Sequence, residues 1–341
     1  MRSLKKIILR SDGTTTTGLG HLFRLISIGD IFEDEYEIVF LTKKNSITKV
    51  IPKKFNKIII PDDISLNNEP EWISKNYNHN EFIIIIDGYQ FNTNYQKRIK
   101  NFGFKLVYID DLSIEKMYAD IVVNHSIGLT INDFNSVKST EFALGSSYAV
   151  LRQEFINAAK KSRKIKSIEE VFICFGGSDL YDLSNRSLEG LIKLKQIKKI
   201  HVVLGAGYKH NEIHRTSQKR KNSVFIYNNI CEKEIIMLMN SCQLAIVPSS
   251  TICYEACSVK MIILSGYYTD NQININKGLD DNGLIYNVGN FKSLKPSDIN
   301  EKVKKIIDDN PTNYDKFIKN QASMFDGQQN IRFKNLIKSL C

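Results

Sequence analysis

The run Lys6-Ile7-Ile8-Leu9-Arg10 leads straight into Ser11-Asp12-Gly13-Thr14-Thr15-Thr16-Thr17-Gly18-Leu19-Gly20-His21. The first five residues form a short apolar run of strand length, and helix-like sequence follows from His21 to Glu33. A strand, a small-residue loop and a helix in that order open a βαβ unit. The same alternation continues along the first half. Strand-like runs occur at Glu37–Leu41, Lys57–Ile60, Phe82–Asp87, Lys105–Asp110 and Asp120–Asn124, with a further helical segment at Tyr95–Phe102. Most of these runs are continuously apolar rather than alternating, which is how parallel strands covered on both faces read.

From Gly128 to Arg163 the pattern breaks into polar, irregular sequence that turns basic over Lys160–Lys166. A second series then begins. Its strands are expected at Glu170–Phe175, Lys199–Leu204, Ser223–Tyr227, Leu244–Val247, Met261–Leu264 and Leu284–Val288. Helices are expected at Leu183–Leu194, Glu232–Met239, Thr251–Val259 and Asn271–Asp281, then at Ile299–Asp308, Tyr314–Gln321 and Gln328–Leu340. The fold class is therefore α/β, with two doubly wound domains of parallel strands. The expected division is residues 1–160, residues 161–325, and a C-terminal helix over 326–341 that returns to the N-terminal domain. Such a pair is expected to place a ligand cleft between the domains, at the carboxyl ends of the strands.

Gross composition narrows the function. The 341 residues carry 47 Lys and Arg against 37 Asp and Glu, a net charge of +10. The lysines are dispersed, and the densest stretches, Lys160–Lys166 and Lys219–Lys221, lack the interleaved aromatics of a single-strand nucleic-acid surface. A nucleic-acid partner is not expected. No apolar run approaches the ~20 residues of a membrane span, so stable membrane insertion is not expected. The N-terminus has no signal-peptide pattern, and six cysteines without a CxxC pair do not make a disulfide framework. A reduced, cytoplasmic protein is the expectation.

Three strand-to-helix junctions could carry chemistry. In the first, Gly18 and Gly20 let the backbone approach a ligand, and His21 sits in the first helical turn. The positive end of a helix lowers a histidine pKa, favouring the neutral imidazole that a general base needs. A polar cap residue is the alternative for His21, and spacing alone does not choose. In the second, Phe175-Gly176-Gly177-Ser178-Asp179 suits either a phosphate held by backbone N–H groups or a tight turn with an N-cap. In the third, Ser249, Ser250 and Thr251 can cap a helix or hold a phosphate. Glu255, one turn further, could accept from two vicinal ribose hydroxyls or simply complement the dipole. Asp110-Asp111 is read as a strand-end turn rather than a metal site. His210 and His214 are read as surface-helix residues.

Taken in order, these strings resemble a known family, the UDP-sugar hydrolases of pseudaminic acid biosynthesis, with SpsG-type polysaccharide proteins and, more distantly, MurG glycosyltransferases as relatives. Arg10-Ser11-Asp12 with Gly18-Leu19-Gly20-His21 and Arg24 is similar to the family's opening motif. Ile86-Asp87-Gly88-Tyr89 resembles its second motif and Ile109-Asp110-Asp111 its third. The stretch Leu144–Phe155, the Phe-Gly-Gly-Ser-Asp string, Ser249-Ser250 with Glu255-Ala256, Asn271-Gln272, and Asp326-Gly327 with Arg332 follow in the same order.

The resemblance implies a GT-B architecture of two Rossmann-like domains. It implies that His21 activates water, with Tyr89 nearby. It assigns Arg10, Asp12, Gly18, Gly20, Arg24, Asp87, Asn271 and Gln272 to the sugar substrate. It assigns Gly176, Gly177, Ser178, Ser249, Ser250 and Glu255 to UDP. The expected partners are a UDP-sugar and water, with no metal, no cofactor and a monomeric chain. A glycosyltransferase on the same scaffold is the alternative. A basic nucleic-acid-binding protein is the reading least favoured.

Overall fold

The computed structural model describes residues 6–14 and 18–341. Thr15, Thr16 and Thr17 of the opening loop, and residues 1–5, lie outside the described residues. The chain forms two compact units, one running to Val150 and regaining Gln329–Cys341, the other spanning Leu151–Gln328.

The first unit contains β1 (Lys6–Arg10), α1 (Gly20–Phe32), β2 (Glu37–Lys43), β3 (Asn56–Ile60), α2 (Glu69–Asn76), β4 (Phe82–Asp87) and α3 (Thr93–Asn101). It continues with β5 (Lys105–Ile109), β6 (Lys116–Met117), β7 (Ile121–Asn124), β8 (Asn135–Ser136) and β9 (Glu141–Leu144). Seven strands form one parallel sheet in the order β3-β2-β1-β4-β5-β7-β9, and β6 pairs with β8 separately.

The central strands alternate between two apolar faces. Ile7, Leu9, Ile83, Ile85, Val107 and Ile109 face one core, into which α1 sends Leu22, Leu25, Ile28 and Phe32. Ile8, Ile84, Ile86, Leu106 and Tyr108 face the other, against Ile73 of α2 and Tyr95 and Ile99 of α3. This two-sided burial explains why β4 is a run of four isoleucines: both pleat faces need apolar side chains, and β-branched residues suit the extended chain.

The second unit contains α4 (Gln153–Ala159), β10 (Glu170–Cys174), α5 (Leu183–Leu191), β11 (Lys199–Leu204), α6 (Glu212–Gln218), β12 (Val224–Asn228) and α7 (Glu232–Ser241). It continues with β13 (Leu244–Pro248), α8 (Thr251–Ser258), β14 (Ile262–Tyr267), α9 (Ile273–Asp281), β15 (Tyr286–Asn290), α10 (Pro296–Ile307) and α11 (Pro311–Met324). Its six parallel strands run β12-β11-β10-β13-β14-β15. Val171, Ile173, Ile200, Val202, Leu244, Ile246, Ile262 and Leu264 share one core with Leu188 and Leu191 of α5 and Ile299, Val303 and Ile306 of α10. On α8, Cys253, Ala256 and Cys257 are buried, and this helix packs against β13, β14 and α11. The chain then returns to the first unit as α12 (Gln329–Lys338), whose Phe333 and Ile337 join the core under α1.

Three differences from the sequence reading have physical causes. The boundary set at residue 160 moves to 150, because α4 packs on α7 and α8. The segment read as irregular contains β9, an edge strand pairing on one side only. An edge strand needs less apolar surface, and Glu141-Phe142-Ala143-Leu144 is correspondingly mixed. Helices α10 and α11 begin at Pro296 and Pro311, three residues before the expected starts, since proline fits the first helical turn where no N–H partner is required.

Candidate active site

In the first sheet the strand order reverses between β1 and β4, and ligands of open α/β sheets bind outside the carboxyl ends at such a reversal. The chain there supplies the start of α1 after β1, Asp87-Gly88-Tyr89 at the end of β4, Asp110-Asp111 after β5 and His125 after β7.

His21 Nδ1 lies 2.7 Å from Asp87 Oδ1. The Tyr89 ring stands edge-on to the imidazole with centroids 4.7 Å apart, and Tyr89 is 49% exposed. Behind this pair, Arg24 forks onto two carboxylates. Its Nε and Nη2 donate to Asp87 Oδ2 and Oδ1 at 2.6 Å each. Its Nη1 and Nη2 donate to Asp111 Oδ1 and Oδ2 at 2.7 and 2.9 Å. Asp87 is wholly buried, and Arg24 and Asp111 nearly so. Such bidentate, charge-assisted bonds are short and directional.

One guanidinium facing two carboxylates leaves a single negative charge, which His21 is placed to answer. Burial disfavours the charged ring, yet the Asp87 carboxylate outweighs it and holds the His21 pKa above its ordinary value. This corrects the expectation that the helix dipole lowers it: a full charge at 2.7 Å is stronger than the partial charge of a helix end. With Nδ1–H donating to Asp87, a neutral His21 carries its lone pair on Nε2.

The resemblance assigned Arg10, Asp12, Arg24 and Asp87 to the sugar substrate, and the structure gives each of them partners within the protein. Arg10 has no exposed surface. It donates to Glu69 at 2.6 and 3.0 Å and pairs with Asp12 at 2.7 Å, while its guanidinium lies over Phe91. Asp12 Oδ1 accepts from Lys43 N at 2.7 Å and Thr42 Oγ1 at 3.0 Å, tying the opening loop to β2. These residues shape the loop, as Arg24 and Asp87 shape the environment of His21. Gly18 has φ +81°, a left-handed conformation that disfavours side chains, and Gly20 has open space where a Cβ would stand. Two buried participants escaped the reading of the sequence, Glu69 and His125. Burial first, then Arg24, pull the His125 pKa down to about 4, and its Nε2 is 3.8 Å from Asp111. The available signal for His125 was a polar pair, Asn124-His125, closing a buried strand.

In the second sheet the order reverses between β10 and β13. Gly176, at φ +81°, and Gly177 are exposed after β10, with Ser178 half-buried. Behind them Gly205 has no room for a side chain, since a Cβ there would lie 2.4 Å from Gly177 O. Asp179 accepts from Leu183 N and Ser184 N, both at 2.8 Å. The start of α5 is thus already capped, and only the glycine turn remains to offer N–H groups. Helix α8 differs: its N-cap Ser250 makes no side-chain cap bond, and its first turn holds no acidic residue. Ser249, which the resemblance assigned to UDP, makes internal contacts. It is fully buried, with Oγ 3.0 Å from Ser265 Oγ and accepting from Asn276 Nδ2 at 2.9 Å. Gln272 is likewise buried, its Oε1 accepting from Tyr268 N at 3.0 Å, whereas Asn271 is half-buried and accepts from Thr269 Oγ1. Glu255 is buried and accepts from Arg152 at both oxygens.

Among the described residues one group offers metal-type donors close together, Glu170, His201 and Cys242, with ligand atoms within 4.8 Å of one another. Lys199 donates to Glu170 at 2.8 Å, His201 Nε2 lies 3.4 Å from Glu170 Oε2, and burial pushes the Cys242 thiol up to about 12.

The molecule resembles known proteins at both levels. A protein of Methanocaldococcus jannaschii described as uncharacterized is 30% identical over 281 residues, covering 78% of this chain. The chain spans 56% of that relative's length. The UDP-2,4-diacetamido-2,4,6-trideoxy-beta-L-altropyranose hydrolase of Campylobacter jejuni is 26% identical over 270 residues, covering 78% of this chain and 93% of the hydrolase. The similarity to that hydrolase runs over most of both chains. No protein-family model matches it. The crystal structure of Acinetobacter baumannii MurG superposes with a TM-score of 0.66 at 11% identity, covering 98% of this chain and 99% of that one. The two units have the GT-B fold. No helix among the described residues is long and apolar enough to cross a membrane.

Proposed function

We propose that this protein acts on a UDP-sugar, and that it hydrolyses a UDP-linked 2,4-diacetamido-2,4,6-trideoxy sugar of the kind the Campylobacter relative is named for. The observation that carries the reading is the His21–Asp87 pair at 2.7 Å, set at the strand-order reversal of the first sheet. His21 Nε2 takes a proton from water as the oxygen attacks the anomeric carbon. The bond from that carbon to the pyrophosphate oxygen breaks, and UDP leaves with its electron pair. Single displacement inverts the anomeric centre.

UDP is held on the second unit. Backbone N–H groups at Gly176-Gly177-Ser178 and at the uncapped start of α8 face the pyrophosphate, and Glu255 takes the ribose hydroxyls. Asn271 contacts the sugar. One general base is worth ~10²–10⁴-fold, so stabilisation of the departing UDP supplies much of the remaining acceleration. A cytoplasmic setting and water as the sole acceptor belong to the same reading.

The alternative is transfer to an acceptor hydroxyl, favoured by the MurG-like fold. Incubation with UDP-2,4-diacetamido-2,4,6-trideoxy-β-L-altropyranose, following UDP release, separates the two. Release in buffer alone supports hydrolysis. Release that depends strictly on an added acceptor overturns it in favour of transfer.

A further inference from the structure

The amino end of the second sheet holds a cluster for which the UDP reading has no use. Glu170 opens β10, His201 stands on β11, and Cys242 is the C-cap of α7 just before β13. Glu170 pairs in register with Lys199 and Phe172 with His201, so Glu170 and His201 fall on one face of the sheet. The carboxylate, imidazole and thiol bring one ligand atom each to within 4.8 Å of one another. Their surroundings hold them. The His201 ring lies nearly parallel to Phe225 with centroids 5.3 Å apart, and its Nδ1 is 3.0 Å from Tyr227 Oη. Its Nε2 is buried and makes no hydrogen bond, in a side chain only 9% exposed. A buried polar atom left unmade in this way is costly and needs a reason. Gln243 ties the backbones together, donating its N–H to Glu170 O at 3.0 Å and accepting from Glu170 N at 2.9 Å. Arg163 donates to the Cys242 carbonyl and, at 3.1 Å, to Met239 O and Asn240 O.

We propose that Glu170, His201 and Cys242 form a structural site for a zinc ion, independent of the UDP reading. The donor set selects the ion: thiolate and imidazole suit zinc, whereas calcium and magnesium take oxygen ligands. Spacing agrees. Nitrogen and oxygen ligands ~2.0–2.1 Å from a tetrahedral ion stand about 3.4 Å apart. His201 Nε2 and Glu170 Oε2 are separated by 3.4 Å. On binding, His201 Nδ1–H donates to Tyr227 Oη and the Nε2 lone pair goes to the ion, as a hydrogen bond on the second ring nitrogen secures for a metal-bound histidine. The Cys242 thiol releases its proton to solvent and coordinates as thiolate. Glu170 gives Oε2 and keeps Lys199 on Oε1, where Lys199 already donates at 2.8 Å. Water takes the fourth position, entering beside Glu170, whose side chain is 21% exposed. Two anionic ligands balance the doubly charged ion, so Lys199 and Arg163 face no net cation. The ion ties the amino ends of β10 and β11 to the junction of α7 and β13, at the opposite end of β10 from the glycine turn.

The test uses the full chain, reduced and treated with a chelator, then titrated with Co²⁺ as a coloured stand-in and with Zn²⁺. Wild type is expected to bind one Co²⁺ per chain with a thiolate-to-cobalt charge-transfer band, to give it up to equimolar Zn²⁺, and to melt at a higher temperature with Zn²⁺ present. Cys242→Ala and His201→Gln are each expected to lose the band and the zinc-dependent rise in melting. Cys242→Ser, close to the native volume, serves if the alanine variant fails to fold, and it too should lose the band. Tyr227→Phe removes only the support to His201, so it should keep the band and weaken Co²⁺ by ~10–100-fold. The proposal is overturned if wild type shows no such band, if the band persists without Cys242 or without His201, or if Zn²⁺ shifts the melting of wild type and variants alike.

Discussion

The two strand-order reversals are built alike and furnished differently. Both are parallel sheets with a glycine-bearing loop after the central strand. The first is dense with charge: Arg24 between Asp87 and Asp111, His21 on Asp87, and Arg10 on Glu69 beneath. The second presents glycine, serine and main-chain groups, and its buried carboxylates Glu255 and Asp179 are already engaged, by Arg152 and by the first N–H groups of α5. Charge networks set protonation, which serves chemistry. Main-chain turns offer many weak donors at fixed positions, which serves binding of an anion at little desolvation cost. On this comparison, damage to the first reversal should cost turnover and damage to the second should cost nucleotide affinity.

The largest expected effect is His21→Ala. Turnover of the UDP-sugar should fall by ~10²–10⁴-fold while the dissociation constant for UDP stays within about twofold. Near-normal turnover would break the contrast at its centre. Next is Arg24→Met, which leaves Asp87 and Asp111 buried without their counter-ion. Removing one partner of a buried pair costs about 3–5 kcal/mol, so denaturant unfolding should show a loss of that size. Loss of activity without loss of stability would mean that Arg24 meets the ligand rather than holding the carboxylates.

How far these regions could be read in the sequence follows the same division. The isoleucine run of β4 and the apolar run of β1 are local signals, and both strands and their parallel setting were legible. The glycine turn at Gly176 was legible too, because its demand for left-handed backbone is written in one residue. The ion pairs were not. Arg10 reaches Glu69 across 59 positions and Arg24 reaches Asp111 across 87. Nothing local marks such a partner, so the pairing of Arg10 with Glu69 was invisible in the sequence. His21 shows the cost most clearly: its place in the helix was visible, but the sign of its pKa shift depended on how closely Asp87 approaches.

The comparison can be sharpened at Gly205. A Cβ there would meet Gly177 O at 2.4 Å and displace the turn. Gly205→Ala should therefore weaken UDP by about tenfold, near 1.4 kcal/mol, with the pH dependence of turnover unchanged. A change confined to turnover would place that turn with the chemistry.

Acidity bears next on the first region, through the buried His125 and the half-buried His21. The His125 pKa is lowered to about 4 from 6.5, so the unfolded chain takes up a proton near pH 6.5 that the folded one refuses. Stability from this group is present above pH 6.5 and is lost as pH falls from there toward about 4. His21 is opposite in sign: its raised pKa contributes stability that is present below pH 6.5 and lost as pH rises through the folded value. Thermal unfolding scanned between pH 4 and 6.5 should lose its dependence on His125 in His125→Gln. An unchanged slope in that variant would assign the titration to other groups.

The smallest effect tests whether the second region is shaped by its interior. Ser249 was read as a phosphate contact and is instead enclosed, between Ser265 Oγ at 3.0 Å and Asn276 Nδ2 at 2.9 Å. Removing its hydroxyl leaves Asn276 Nδ2–H without that acceptor in a buried place, which costs on the order of 1 kcal/mol. Ser249→Ala should lower the melting temperature by a few degrees and leave UDP affinity nearly unchanged. Ser250→Ala, at the half-buried start of α8, should do the reverse if its hydroxyl meets the phosphate: little change in melting, and a few-fold weaker UDP. Both variants behaving alike in both measurements would show that the two serines share one role, and the line between interior support and ligand contact would have to be drawn elsewhere along β13.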